Sequence, residues 1–111
     1  MTLIQEIKET VPMEIRSLSE EEGYLEGVVT RKDLGSLRKV LTTHLGPAAK
    51  EAGKEASFPR EVQNLVDALG GLRLEQSFFF VREKQGIRFA ALWPWQSDPQ
   101  RTTLKCGMKA V

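Results

Sequence analysis

At Gly70-Gly71 the hydrophobic period of the chain changes, and that change constrains the fold more than any other feature. Before it, Phe58, Val62, Leu65, Val66 and Leu69 recur at i, i+4, i+7, i+8 and i+11, the stripe of a helix that buries one side. Ser57 is placed to cap that helix, Pro59 falls in its first turn, and the two glycines stop it. After it, LRLEQSFFFVRE, IRFAALWPW and TTLKCGMKA read as three strands joined by KQG and QSDPQ, both of which carry turn residues. A helix running directly into three short-looped strands predicts a helix packed against an antiparallel meander.

The strands set a further condition. Phe78, Phe79 and Phe80 are consecutive, and neighbouring side chains on a strand point to opposite faces, so both faces of the sheet receive an aromatic ring. Trp93 and Trp95 flank Pro94 and project to the same side as Ile87, Phe89 and Ala91. A three-residue KQG loop puts Phe79 and Val81 on the tryptophan side, whereas a two- or four-residue loop puts Phe78 and Phe80 there. Either way a phenylalanine faces the other side, with Arg88, Leu92 and, in this reading, Lys105. A helix, a second subunit or a ligand must then cover it. Pro94 cannot donate to a ladder and belongs at a strand end, leaving Trp95 half exposed at the rim of the core.

The first half of the chain supplies the rest of the layers. Leu3, Ile4, Ile7 and Val11 form a short helical stripe over residues 3–10, with Thr2 as cap and Pro12 as stop. Met13 and Ile15, then Leu25, Gly27 and Val29, alternate on either side of SEEEG and suit a hairpin; a helix through IRSLSEEE competes with it over residues 12–22. Thr30 and Asp33 resemble a capping box ahead of the stripe Leu34, Leu37, Leu41 and Leu45, which Gly46 and Pro47 end. Residues 47–57, PAAKEAGKEAS, have no stripe and read as a mobile linker. The expectation is one α+β domain over 1–111: an antiparallel sheet of four or five strands with two or three helices packed on one face.

Charge and composition narrow the chemistry. The net charge is +1, but from Leu72 onward seven basic residues face three acidic ones, a mild asymmetry that suits either a solvated sheet face or an anionic partner. Cys106 is the single cysteine, so an internal disulfide is impossible and a reducing, cytoplasmic compartment is expected. No apolar run approaches the length of a membrane span, and the N-terminus lacks a signal-peptide core. His44 and Cys106 are the only nucleophile and base of the usual types, one near a helix end and the other on an inward strand position, where each has an ordinary structural role. Glu20-Glu21-Glu22 reads as a solvated turn rather than a metal site, and no phosphate-binding glycine loop occurs.

No catalytic residue, metal ligand or cofactor is therefore expected, and an enzyme would have to be of an unrecognised type. What remains is binding. Phe78, Phe80, Arg82, Arg88, Trp93, Trp95 and Lys105 are the candidate residues, for self-association or a protein partner in the first place. Single-stranded nucleic acid or another anionic ligand is the alternative, with Arg82, Arg88 and Lys105 as phosphate contacts.

Overall fold

The computed structural model describes residues 2–110. Five strands form one antiparallel sheet: β1 (Glu14–Ser19), β2 (Tyr24–Thr30), β3 (Ser77–Glu83), β4 (Gly86–Pro94) and β5 (Arg101–Ala110), in the order β1-β2-β5-β4-β3. The C-terminal three form the expected meander, and the N-terminal hairpin docks on its last strand. Three helices complete the α+β fold: α1 (Leu3–Thr10), α2 (Arg31–Leu45) and α3 (Arg60–Ala68).

The helices divide between the faces. α1 and α2 lie together on one face, where Leu3, Ile4, Ile7, Leu37, Val40 and Leu41 bury Leu25, Val29, Phe79, Leu92, Leu104 and Cys106. α3 covers the other: Val62, Leu65 and Val66 pack on Phe78, Ile87, Phe89 and Ala91, with Phe58, Leu69, Leu72, Phe80 and Trp93 at the margin. This answers the demand made by three consecutive phenylalanines. Phe79 goes to α1 and α2, while Phe78 and Phe80 go to α3.

The register follows from the tightness of the β3–β4 turn. Glu83 pairs with Gly86, so the loop is the two residues Lys84-Gln85, and Phe80 stands opposite Phe89. Gly86 has φ 152, and a Cβ there would lie 2.0 Å from the carbonyl oxygen of Lys109 on β5. Only glycine allows β5 to close on that turn. The first hairpin is a strand pair with a register shift at Arg16 rather than a helix.

Helix ends show where local rules hold and where they yield. Thr2 and Gln5 form a reciprocal capping box on α1, satisfying two otherwise orphaned N–H groups. At α2 the Thr30 hydroxyl donates to Asp33 Oδ2 at 3.2 Å instead of capping the backbone, and at α3 the N-cap is Pro59, two residues beyond Ser57. Gly70 and Gly71, at φ 98 and 82, end α3 with N–H bonds to Asp67 and Val66 carbonyls. The segment 47–57 is hydrogen-bonded to the edge of β3: Ala49 and Lys50 donate to the Phe78 carbonyl, and the Phe78 N–H donates to Lys50. The buried Lys50 ammonium donates to the carbonyls of Glu51, Leu74 and Gln76, so all three of its protons have acceptors.

Candidate functional site

α3 is nine residues long and covers only part of the sheet face on which it lies. Across that face one row of paired residues runs Ser17, Glu26, Lys105, Ala91, Phe78. Ala91 and Phe78, on β4 and β3, are fully buried under α3, whereas Glu26 and Lys105, on β2 and β5, keep about a third of their side chains exposed. The neighbouring row ends on Trp93, which pairs with Thr103, and Thr103 pairs with Val28. The half of the face over β1, β2 and β5 therefore carries no helix, although Val28 within it is buried, and the W-P-W segment stands at its border.

Most polar groups there are tied to a neighbour. Trp95 Nε1 donates to Thr103 Oγ1 at 2.8 Å, and its backbone N–H donates to the Arg101 carbonyl at 3.0 Å. The Arg101 guanidinium lies 5.4 Å from the Trp95 ring centre, and Lys105 Nζ lies 5.0 Å from that of Trp93, both within cation–π reach. Lys105 also approaches Glu26 at 3.8 Å, and the Tyr24 hydroxyl donates to the same carboxylate oxygen at 2.9 Å. Burial, then acceptance by Glu26, pushes the Tyr24 phenol up to about 12, so it remains a proton donor at neutral pH. Trp93 Nε1 is buried and has no acceptor among the described residues. An unpaired buried N–H of this kind costs about 1–3 kcal/mol, a local weakness beside the open surface.

The candidate residues named from sequence separate into three places. Trp93, Trp95 and Lys105 come together on the uncovered half. Lys105 thus stands on the tryptophan side, not beside Arg88 and Leu92, because its pairing with Ala91 fixes the face it uses. Phe78 and Phe80 belong to a ring cluster with Phe58 and Phe89, with Phe58 meeting both edge-on at 5.6 and 6.5 Å; Phe78 is wholly buried. Arg82 is paired with Glu61 of α3. Arg88 lies on the opposite face, where it donates to both carboxylate oxygens of Glu83 at 3.2 Å.

Tyr24, Glu26, Arg101 and Thr103 join the site without having been singled out from sequence. The alternation of Thr103 and Lys105 marks a wet face of β5, but nothing local says that Tyr24 and Glu26 lie beside it. That depends on β2 pairing with β5 across some 75 residues of chain.

The groups most suited to covalent chemistry are held elsewhere. Burial pushes the Cys106 thiol up to about 12, and His44 Nε2 sits 3.2 Å from Glu6, bridging α2 to α1. Among the described residues no three His, Cys, Asp or Glu side chains converge as a metal site would require. Comparison with family models, characterised proteins and solved structures returns no match.

Proposed function

We propose that this chain is a small non-enzymatic binding domain whose contact surface is the uncovered half of the sheet, centred on Trp93, Trp95 and Lys105, and whose partner is a protein. The observation that carries this reading is the split face: the same sheet surface that α3 seals over β3 and β4 presents two partly buried indoles, a tyrosine and both signs of charge over β2 and β5. Indole, tyrosine and paired charge at a rim, beside an apolar margin, are the composition of protein contact surfaces. Helices of the described chain are all too short and polar to cross a membrane, and no membrane partner is invoked. The lone buried thiol of Cys106 suits the reducing cytoplasm, which is the compartment of this reading.

Charge pairing favours a protein partner over nucleic acid. Arg82, Arg88, Arg101 and Lys105 each have a carboxylate within 4.0 Å, namely Glu61, Glu83, Asp98 and Glu26. A phosphate would have to displace these partners, and Arg88 points away from the tryptophans altogether.

The test places a photo-reactive side chain at Lys105 and, as a control, at Lys39 on the outer side of α2, and pairs it with a single-stranded oligonucleotide titration at low salt. A discrete protein adduct at position 105, lost when Trp95→Ala is added, and no oligonucleotide binding are expected. Salt-sensitive oligonucleotide binding that Lys105→Glu weakens would overturn the reading in favour of nucleic acid. Equal labelling at both positions would remove the surface from consideration.

A further inference from the structure

The two edges of the sheet are treated differently. β3 is flanked by the Lys50 bridge, but among the described residues β1 has no neighbour on its outer side, and five of its six residues are exposed. Ile15 and Leu18, 45% and 39% exposed, are two of the three large apolar side chains the described chain leaves in solvent. A bare edge strand carries a row of free N–H and C=O groups that invites another strand.

The register shift at Arg16 gives this edge a particular form. In a regular strand residues 15 and 18 would point to opposite faces. Here Ile15 pairs with Gly27, Ser17 with Glu26 and Leu18 with Leu25, so Arg16 is the extra residue and Ile15 and Leu18 share the face that carries α1 and α2. Counted by paired positions, β1 reads Glu14, Ile15, Ser17, Leu18, Ser19: polar, apolar, polar, apolar, polar, symmetric about Ser17. We propose that β1 pairs antiparallel with β1 of a second copy of this chain, about a two-fold axis normal to the sheet at Ser17.

That axis sets Ile15 opposite Leu18 of the second copy, twice, on one face, and Glu14 opposite its Ser19 on the other. No two like charges stand directly opposed, and Arg16 lies outside the ladder, 3.6 Å from Glu14. A shift of one pair turns Ile15 and Leu18 toward the wrong face, and a shift of two leaves one apolar pair in place of two, so the pattern favours this register. The partner is isologous, as a closed dimer requires.

This pairing deepens the binding reading given above. α3 sits at the far end of each sheet, so the uncovered strands of two copies become neighbours in the order β5-β2-β1-β1-β2-β5. At a strand spacing of about 4.8 Å, they form a platform about 25 Å wide with a W-P-W segment at each margin.

Sedimentation velocity from micromolar to millimolar concentration, with hydrogen exchange at both ends of the range, tests the proposal. The parent chain is expected to double in mass as concentration rises, with exchange slowing at β1 amides. Ile15→Lys with Leu18→Lys is expected to remain monomeric throughout with an unchanged circular dichroism spectrum and melting temperature, while Trp95→Ala with Lys105→Glu still dimerises. A parent that stays monomeric overturns the proposal, as does a dimer that survives the double lysine variant. If the Trp95→Ala, Lys105→Glu variant is the one that abolishes dimerisation, the uncovered face itself is the contact between copies and the edge is not.

Discussion

The face of the sheet that carries α3 is two surfaces in one plane. Over β3 and β4, Phe78, Phe80, Phe89 and Ala91 meet Val62, Leu65 and Val66 of α3, and every large side chain finds an apolar neighbour. One strand away, over β2 and β5, Tyr24, Glu26, Thr103 and Lys105 hold one another by hydrogen bonds and charge beside two tryptophans. The backbone is continuous across the boundary, so the difference is due to side chains and to the length of α3. A helix of nine residues is about 14 Å long and about 10 Å wide, less than the roughly 19 Å between the outer strands of a five-stranded sheet. The boundary is where a core ends and a binding surface begins.

Breaking the sealed half should have the largest effect. Phe78→Ala removes a wholly buried ring from the cluster with Phe58 and Phe89, and a loss of about 3–5 kcal/mol is expected in urea unfolding. A loss below about 1 kcal/mol, the scale of a surface change, would mean that α3 does not seal this half. Gly107 stands at the boundary, where a Cβ would come within 3.1 Å of Tyr24 and 3.3 Å of Phe89. Gly107→Val should therefore cost about 1–3 kcal/mol by overpacking, read as a fall in melting temperature. On the open half, Trp95→Phe removes one hydrogen bond to Thr103, and about 1 kcal/mol or less is expected by the same unfolding assay. A ranking in which Trp95→Phe costs more than Phe78→Ala would reverse the comparison.

Alkaline pH sharpens it from the other face of the sheet. The Cys106 thiol is raised from 9.0 to about 12 in the folded chain, so the unfolded chain loses this proton first. Its contribution to stability is whole below pH 9 and is lost as pH rises from there toward about 12. Tyr24, raised from 10.0 to about 12, acts in the same direction over the upper part of that range. Cys106→Ala should flatten the fall that begins near pH 9 while leaving the part due to Tyr24; an unchanged profile in denaturant titrations would contradict the assignment.

The layers of this fold are legible in the sequence because they depend on neighbours along the chain. The stripe from Phe58 to Leu69, its glycine stop and the strands that follow are local patterns, and three consecutive phenylalanines require that both faces be covered. The candidate site is less legible because it depends on pairing at a distance. A turn of two residues rather than three decides which phenylalanines share the tryptophan side, and the closeness of Gly86 to Lys109 on β5 fixes that turn. Lys105 changes sides because β5 takes its parity from Ala91, and Tyr24 and Glu26 enter only because the first hairpin docks on the last strand. Basic residues next to aromatic ones suggest one interleaved surface, but Arg82, Arg88 and Lys105 each meet a carboxylate remote in sequence or across a turn.

The division of the face is tested most directly within one row of the sheet. Lys105 and Ala91 are paired neighbours on β5 and β4, one in the open half and one beneath α3. In a Cys106→Ala background, Lys105→Cys and Ala91→Cys would each be treated with a thiol reagent, and the labelling rate measured on dilute native protein and in denaturant. The account predicts that the thiol at 105 reacts in the native state at a measurable fraction of its denatured rate, while that at 91 reacts only as the chain unfolds. Equal protection of both would mean that the surface around the tryptophans is closed, and equal reactivity would mean that α3 does not cover the phenylalanines; either result contradicts the split face.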